Sequence, residues 1–152
     1  MYKFFKILLI LVFAIIFKSY SQEVFIPKYF TVISKEKGKQ MLNQCSRATP
    51  RKVKKFFNLT QNEIQKLDTC FLNYFKKEYL EMYAFQYIGL IIKGKKYINI
   101  NAFAIDNDII NNSNNKWKTE PVDVCDGGGA FWGILFNIEN CSFSQYGSNG
   151  IA

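Results

Sequence analysis

The residues able to do chemistry are Cys45, Cys70, Cys125 and Cys141, a set of carboxylates and a run of basic side chains, in a chain of 152 residues without histidine. Four cysteines could hold zinc or form two disulfides. No pair has C-x-x-C spacing and no imidazole is present, so a metal site is not expected. In an oxidising compartment an even count reads as two disulfides, and the three possible pairings stay open on the residues alone. The missing histidine removes the usual general base near neutral pH and the commonest metal ligand. It excludes Ser-His-Asp and Cys-His mechanisms outright. Carboxylate-only hydrolysis, with Asp123 and Asp126 as candidate groups, and a lysine nucleophile remain open; no cofactor is implied.

Binding chemistry is carried by a basic cluster between Ser46 and Phe57. Arg47, Arg51, Lys52, Lys54 and Lys55 stand there without an acidic residue among them. Such a run meets an acidic protein or another polyanion, or is simply a solvated loop. Asp126-Gly127-Gly128-Gly129 could aim backbone amides at an anion. It leads into a strand instead of a helix, so a turn that needs positive φ is the better reading. Asp106-Asn107-Asp108 hints at a calcium loop, but Ile110 falls at a ligand position, Asn111 replaces the glycine and no glutamate closes the loop. Asn58, Asn111 and Asn140 begin glycosylation sequons, chance matches in so asparagine-rich a chain.

The amino terminus gives the compartment. Lys3 and Lys6 precede an unbroken apolar run from Ile7 to Phe17, and Ser19-Tyr20-Ser21 puts small residues where a signal peptidase cuts. The run of 11 residues is too short to span a bilayer. Met1–Ser21 is therefore a signal peptide, and residues 22–152 form one exported domain of the periplasm or the medium, with no transmembrane span once the leader is removed. Removing the leader takes away Lys3, Lys6 and Lys18 and lowers the net charge from +8 to +5.

The elements that must position these groups follow from hydrophobic period. Glu23–Ser34 is β-branched and aromatic with Pro27 inside it, which fits an edge strand. Ser34 fits the N-cap of a short helix carrying Met41, Leu42 and Cys45 on one side. Ser46–Phe57 reads as a basic loop interrupted by Pro50. Thr60 and Glu63 have capping-box spacing, and Ile64, Leu67, Phe71, Tyr74 and Phe75 extend one apolar face, so the spacing predicts a helix from Thr60 to about Tyr79 or Met82. Phe85–Lys93 and Lys96–Phe103 form a hairpin about Gly94-Lys95, and Ala130–Ile138 with Ser142–Tyr146 a second. The predicted fold is α+β, one long and one short helix on an antiparallel sheet of about four strands.

Three strings together, Gln44-Cys45-Ser46-Arg47 with Pro50, Tyr97 to Phe103 with Asn101-Ala102-Phe103 at its end, and Val124-Cys125-Asp126-Gly127-Gly128 followed by Phe131-Trp132-Gly133, resemble a group of small, uncharacterised bacterial exported proteins. The likeness runs from Gln44 to the C-terminus and implies no nameable activity. It implies a Cys45–Cys125 bond, leaving Cys70–Cys141 as the second. That bond in turn implies proximity, and a charge pair, between Arg47 and Asp126. Asp126, Gly127, Gly128 and Trp132 join the basic cluster as candidate binding residues. The resulting expectation is a binding or inhibitory module for an acidic protein or polyanion of the envelope, with nucleic acid not expected. A carboxylate-dependent hydrolase and an immunity-type factor against a toxin or cell-wall enzyme are the alternatives.

Overall fold

The computed structural model of the protein describes residues 23–105, 108–112 and 114–150. Residues 1–22, where the leader is expected, and part of the Asp106–Asn115 loop lie outside them. At the centre is a hairpin of β3 (Tyr83–Ile92) and β4 (Lys95–Ala104), paired along their whole length. Its two-residue turn is Lys93-Gly94, one position earlier than the sequence indicated. Both residues have positive φ, 49° and 79°, the geometry whose twist matches the flanking strands. On the far side of β4 lies β5 (Phe131–Asn137), then β6 (Ser142–Ser148), both antiparallel.

The other edge of β3 is shared by two strands. β1 (Phe30–Val32) runs parallel to Phe85–Tyr87, and β2 (Val53–Phe57) runs antiparallel to Gly89–Ile92. The sheet thus has six strands among the described residues, where the sequence predicted about four. β2 comes from the stretch read as a basic loop. Val53, Phe56 and Phe57 pack against the hairpin while Lys54 and Lys55 stay exposed, with a bulge between Val53 and Lys55 absorbing the misfit.

The class is α+β as predicted, but the described residues contain no long helix. A 3₁₀ turn, Lys35–Lys37, leads into α1 (Gly38–Leu42). α2 (Gln61–Cys70) opens on the expected capping box: Thr60 N–H donates to Glu63 Oε2 at 2.9 Å, and Glu63 N–H to Thr60 Oγ1 at 3.4 Å. After Cys70 the chain tightens into a 3₁₀ turn, Phe71–Asn73, and restarts as α3 (Lys77–Leu80). The cause is tertiary. Breaking the helix lets Phe75 and Tyr79 swing onto Trp132, with ring centroids 5.4 and 6.0 Å away. It leaves Tyr74, assigned to the apolar face by period, 56% exposed. Aromatic contacts of this kind outweigh the small propensity gain of a longer helix. α4 (Asp108–Asn112) follows β4.

Each face of the sheet has its own cover. Tyr83, Phe85 and Tyr87 of β3, Ile98, Ile100 and Ala102 of β4, and Trp132, Ile134 and Phe136 of β5 lie on one face, against α2 and the Phe71–Tyr79 segment. Ala84, Gln86, Ile88 and Leu90 with Asn99, Asn101 and Phe103 lie on the other, against α1 and the segment around Trp117. One disulfide ties down each cover. Cys70–Cys141 joins the end of α2 to the β5–β6 turn, and Cys45–Cys125 joins the segment after α1 to the approach to β5, with Cα separations of 5.7 and 5.1 Å.

Under α2, Asp68 is only 6% exposed, and its Oδ1 has no hydrogen-bond partner among the described residues. Burial pushes its carboxyl from the ordinary 3.8 up to about 6. The Tyr87 phenol, fully buried and also without a partner, is pushed up by burial and by the Asp68 charge. A carboxyl raised in the folded state holds its proton where the unfolded chain has lost it. Stability therefore falls as pH rises from about 4 to 6, and the penalty stays at its full size above that. Asp68→Asn should raise the urea midpoint at pH 7 to 8, on the order of 2 kcal/mol, and change it little at pH 4. An equal gain at both pH values would show that folding does not raise the carboxyl above its ordinary value.

Candidate functional site

Members of all three strings singled out in the sequence meet on the α1 side of the sheet. Gln86 of β3 and Asn101 of β4 are cross-strand partners at the centre of this face, both buried. Asn101 Nδ2 donates to Gln86 Oε1 at 3.0 Å and to the Val122 carbonyl at 2.9 Å. Gln86 Nε2 donates to the Trp117 and Glu120 carbonyls at 2.5 and 2.7 Å, and Gln86 Oε1 also accepts from Val122 N–H at 2.9 Å. The segment Trp117–Val122 is thereby held across the sheet by two amide side chains. This matters because leaving a buried amide unpaired costs about twice what a made hydrogen bond contributes.

Arg47 completes the network. One guanidinium nitrogen donates to Asn101 Oδ1, and the other to Asn149 Oδ1 at 2.7 Å. Asn149, itself buried, donates onward from Nδ2 to the Val124 and Asp126 carbonyls. Arg47 is therefore linked to the Cys125 segment through Asn149, and the expected Arg47–Asp126 charge pair does not form. The charge that acts on the guanidinium is Asp123, whose carboxylate accepts from Cys45 N–H at 3.3 Å. Burial pulls the arginine down to about 10, and Asp123 partly opposes that. The guanidinium remains charged at any physiological pH.

The arginine can lie here because position 133 is glycine. A Cβ on Gly133 would stand 3.0 Å from Arg47 Nε and 3.2 Å from the Ile100 carbonyl. The sequence shows the residues but not this use of them: Gln86 and Asn101 read as ordinary strand positions, and Arg47 as a member of the basic cluster expected to pair with Asp126. The signal available was Gln86 and Asn101, each set between apolar neighbours in its strand.

The remaining candidates separate from this network. Gly127 and Gly128 take positive φ, 88° and 53°, in the turn that leads to β5, and Gly128 N–H is committed to the Gly150 carbonyl at 3.0 Å. That is the turn reading. The Asp126 carboxyl is on an exposed residue of the same turn. Trp132 is fully buried on the opposite, aromatic face, so it is a core residue and no part of a surface site.

Arg51, Lys52, Lys54 and Lys55 are exposed along the entry to β2 and the strand itself. Pairing of Val53 with Ile92 sets Lys52 beside the hairpin turn, where Lys93 adds a fifth positive charge. None of these five forms an ion pair with a described residue. Their neighbours Lys95 and Lys96 are paired, with Glu139 at 3.7 Å and Glu63 at 2.8 Å. Among the described residues no cluster of three metal-ligating side chains occurs. No family model, curated protein or solved structure matches the chain.

The geometry thus divides the basic string in two: Arg47 is structural, and the residues after Pro50 face solvent. Gly133→Ala should cost about 1–3 kcal/mol, because the added methyl must displace the guanidinium or the β4 carbonyl. Arg47→Lys should not rescue Arg47→Met fully, since one ammonium cannot reproduce the planar fork that spans Asn101 and Asn149. Denaturant melts of the three variants measure this; a wild-type midpoint for Gly133→Ala would contradict it.

Proposed function

We propose that this chain is an exported binding or inhibitory protein of the bacterial envelope, with Met1–Ser21 as its signal peptide, and that its exposed basic residues receive an acidic partner. The observation that carries the reading is the gathering of Arg51, Lys52, Lys54, Lys55 and Lys93 at one corner of the sheet, each without an ion-pair partner among the described residues. Like charges held close repel one another, and in a single chain that repulsion is only a cost. A bound acidic group reverses it. Two disulfides accord with an oxidising compartment, and both paired cysteine positions that lie in the resembling strings meet each other.

An inhibitory or carrier role needs a rigid presenting surface. β2 supplies one, since Val53, Phe56 and Phe57 are anchored on the hairpin while the lysines between them project. The binding energy expected from such a surface is salt-dependent and shows most in the association rate.

Two measurements test the proposal. Produced with its own leader in a bacterial host, the protein should be recovered outside the cytoplasm, oxidised and beginning at Gln22; retention of Met1 in the cytoplasm would remove the export half. Oxidised residues 22–152 should retain a specific acidic partner from an envelope extract at low salt and release it at high salt. The quadruple variant R51E/K52E/K54E/K55E should weaken retention about tenfold or more, while Asp126→Asn leaves it unchanged. Salt-independent retention by both proteins would overturn the basic-face reading.

A further inference from the structure

We infer that the basic face includes a seat for one apolar side chain, so that its occupant is an acidic protein segment carrying such a residue. The inference rests on the basic-face reading and adds the groove beside it. Between α1 and the start of β2 is a concavity of about 310 Å³, lined by Lys39, Leu42, Asn43, Pro50, Val53 and Phe56. Its walls are fixed from behind. Leu42, Val53 and Phe56 are half-buried against Ile33, Met41, Ile88, Leu90 and Leu135. The Phe56 ring lies where a side chain on Gly38 would be, since a Cβ there would be 2.3 Å from the ring. Thr49 Oγ1 donates to the Leu42 carbonyl at 2.7 Å and clamps the Pro50 segment to α1.

Charge surrounds this floor. Lys39 lines the groove, Arg51 and Lys52 follow Pro50, and Lys54 follows Val53. A preformed apolar floor with cations at its rim matches a ligand that has carboxylates within a residue or two of an aliphatic or aromatic group. An acidic peptide has that pattern. A sulfated polysaccharide or a phosphate backbone satisfies the lysines and leaves the floor unused. A second copy of the chain is disfavoured, because it would bring the same lysines, on a domain of net charge +5, against each other.

The test is a selection of random twelve-residue peptides on the immobilised, oxidised protein, followed by anisotropy titrations of the enriched sequences. Asn43→Trp fills the groove from an exposed position and leaves every basic residue in place; near-ultraviolet circular dichroism checks that the variant is folded. Enriched peptides should carry at least two acidic residues beside a Leu, Ile, Met or Phe. Replacing that residue by Ser, or binding to Asn43→Trp, should weaken affinity about tenfold. Charge reversal at Lys52 and Lys54 should weaken it as well. Acidic peptides with no recurring apolar residue, or equal affinity for Asn43→Trp, would overturn the groove and leave the basic-face reading standing. Enrichment without acidic residues would overturn both. Heparin or phosphatidylglycerol vesicles that bind more tightly than any selected peptide, and equally to Asn43→Trp, would assign the surface to a polyanion or a membrane instead.

Discussion

A pair of buried amides organises one whole side of this protein. Gln86 and Asn101 face each other in the middle of the central hairpin, among mostly apolar neighbours. Two carboxamides present more donors and acceptors than they can satisfy between themselves, and water is excluded. Folding is favourable only if other groups arrive at fixed places. Those groups are the carbonyls and amide of Trp117–Val122 and the guanidinium of Arg47. A segment with little regular structure thus acquires a definite path, and an arginine near the chain's start acquires a definite partner near its middle.

The covalent frame acts on the same elements from outside. Cys45–Cys125 closes a loop of 80 residues and Cys70–Cys141 one of 71. In the chain-entropy account each is worth roughly 4 kcal/mol, a large share of the stability of a domain this size. The two bonds do not duplicate each other, because one holds the cover of the polar face and the other the cover of the aromatic face. Cys45 lies two residues from Arg47, and Cys125 lies between the Val124 and Asp126 carbonyls that Asn149 binds. Disulfide and hydrogen-bond network therefore fix the same junction, one by restricting the unfolded chain and the other by specifying the folded one.

Which parts of this were legible in the sequence follows from the range of the interactions. The central hairpin and the capping box at Thr60 are encoded over a few residues, and both formed nearly where their patterns put them. The end of α2 is not local: the period of Phe71, Tyr74 and Phe75 continues a helix, and the break exists only because Trp132, some sixty positions away, offers a better site for Phe75 and Tyr79. β2 was hidden for a similar reason. Its lysines read as a loop until Ile91, Leu90 and Gly89 are known to lie beside it. Arg47 could be grouped with its basic neighbours by sequence alone, yet Gly133 and Asn149, distant in the chain, decide that it serves the interior.

The separation of Arg47 from Arg51–Lys55 also bears on why the charges stand where they do. An edge strand invites pairing with another chain, and lysines with a bulge are a usual means of preventing it. β2 has both, but protection against pairing needs no groove and no additional cations off the strand. Lys39 on α1 and Lys93 in the hairpin turn extend the positive field beyond the edge, and Leu42, Val53 and Phe56 keep an apolar floor open within it. Repulsion between copies of this edge and attraction toward an acidic segment are the same electrostatic arrangement met by opposite partners. Under the proposed reading no further device is needed, since the charges that reject self-association are the ones that select the acidic segment.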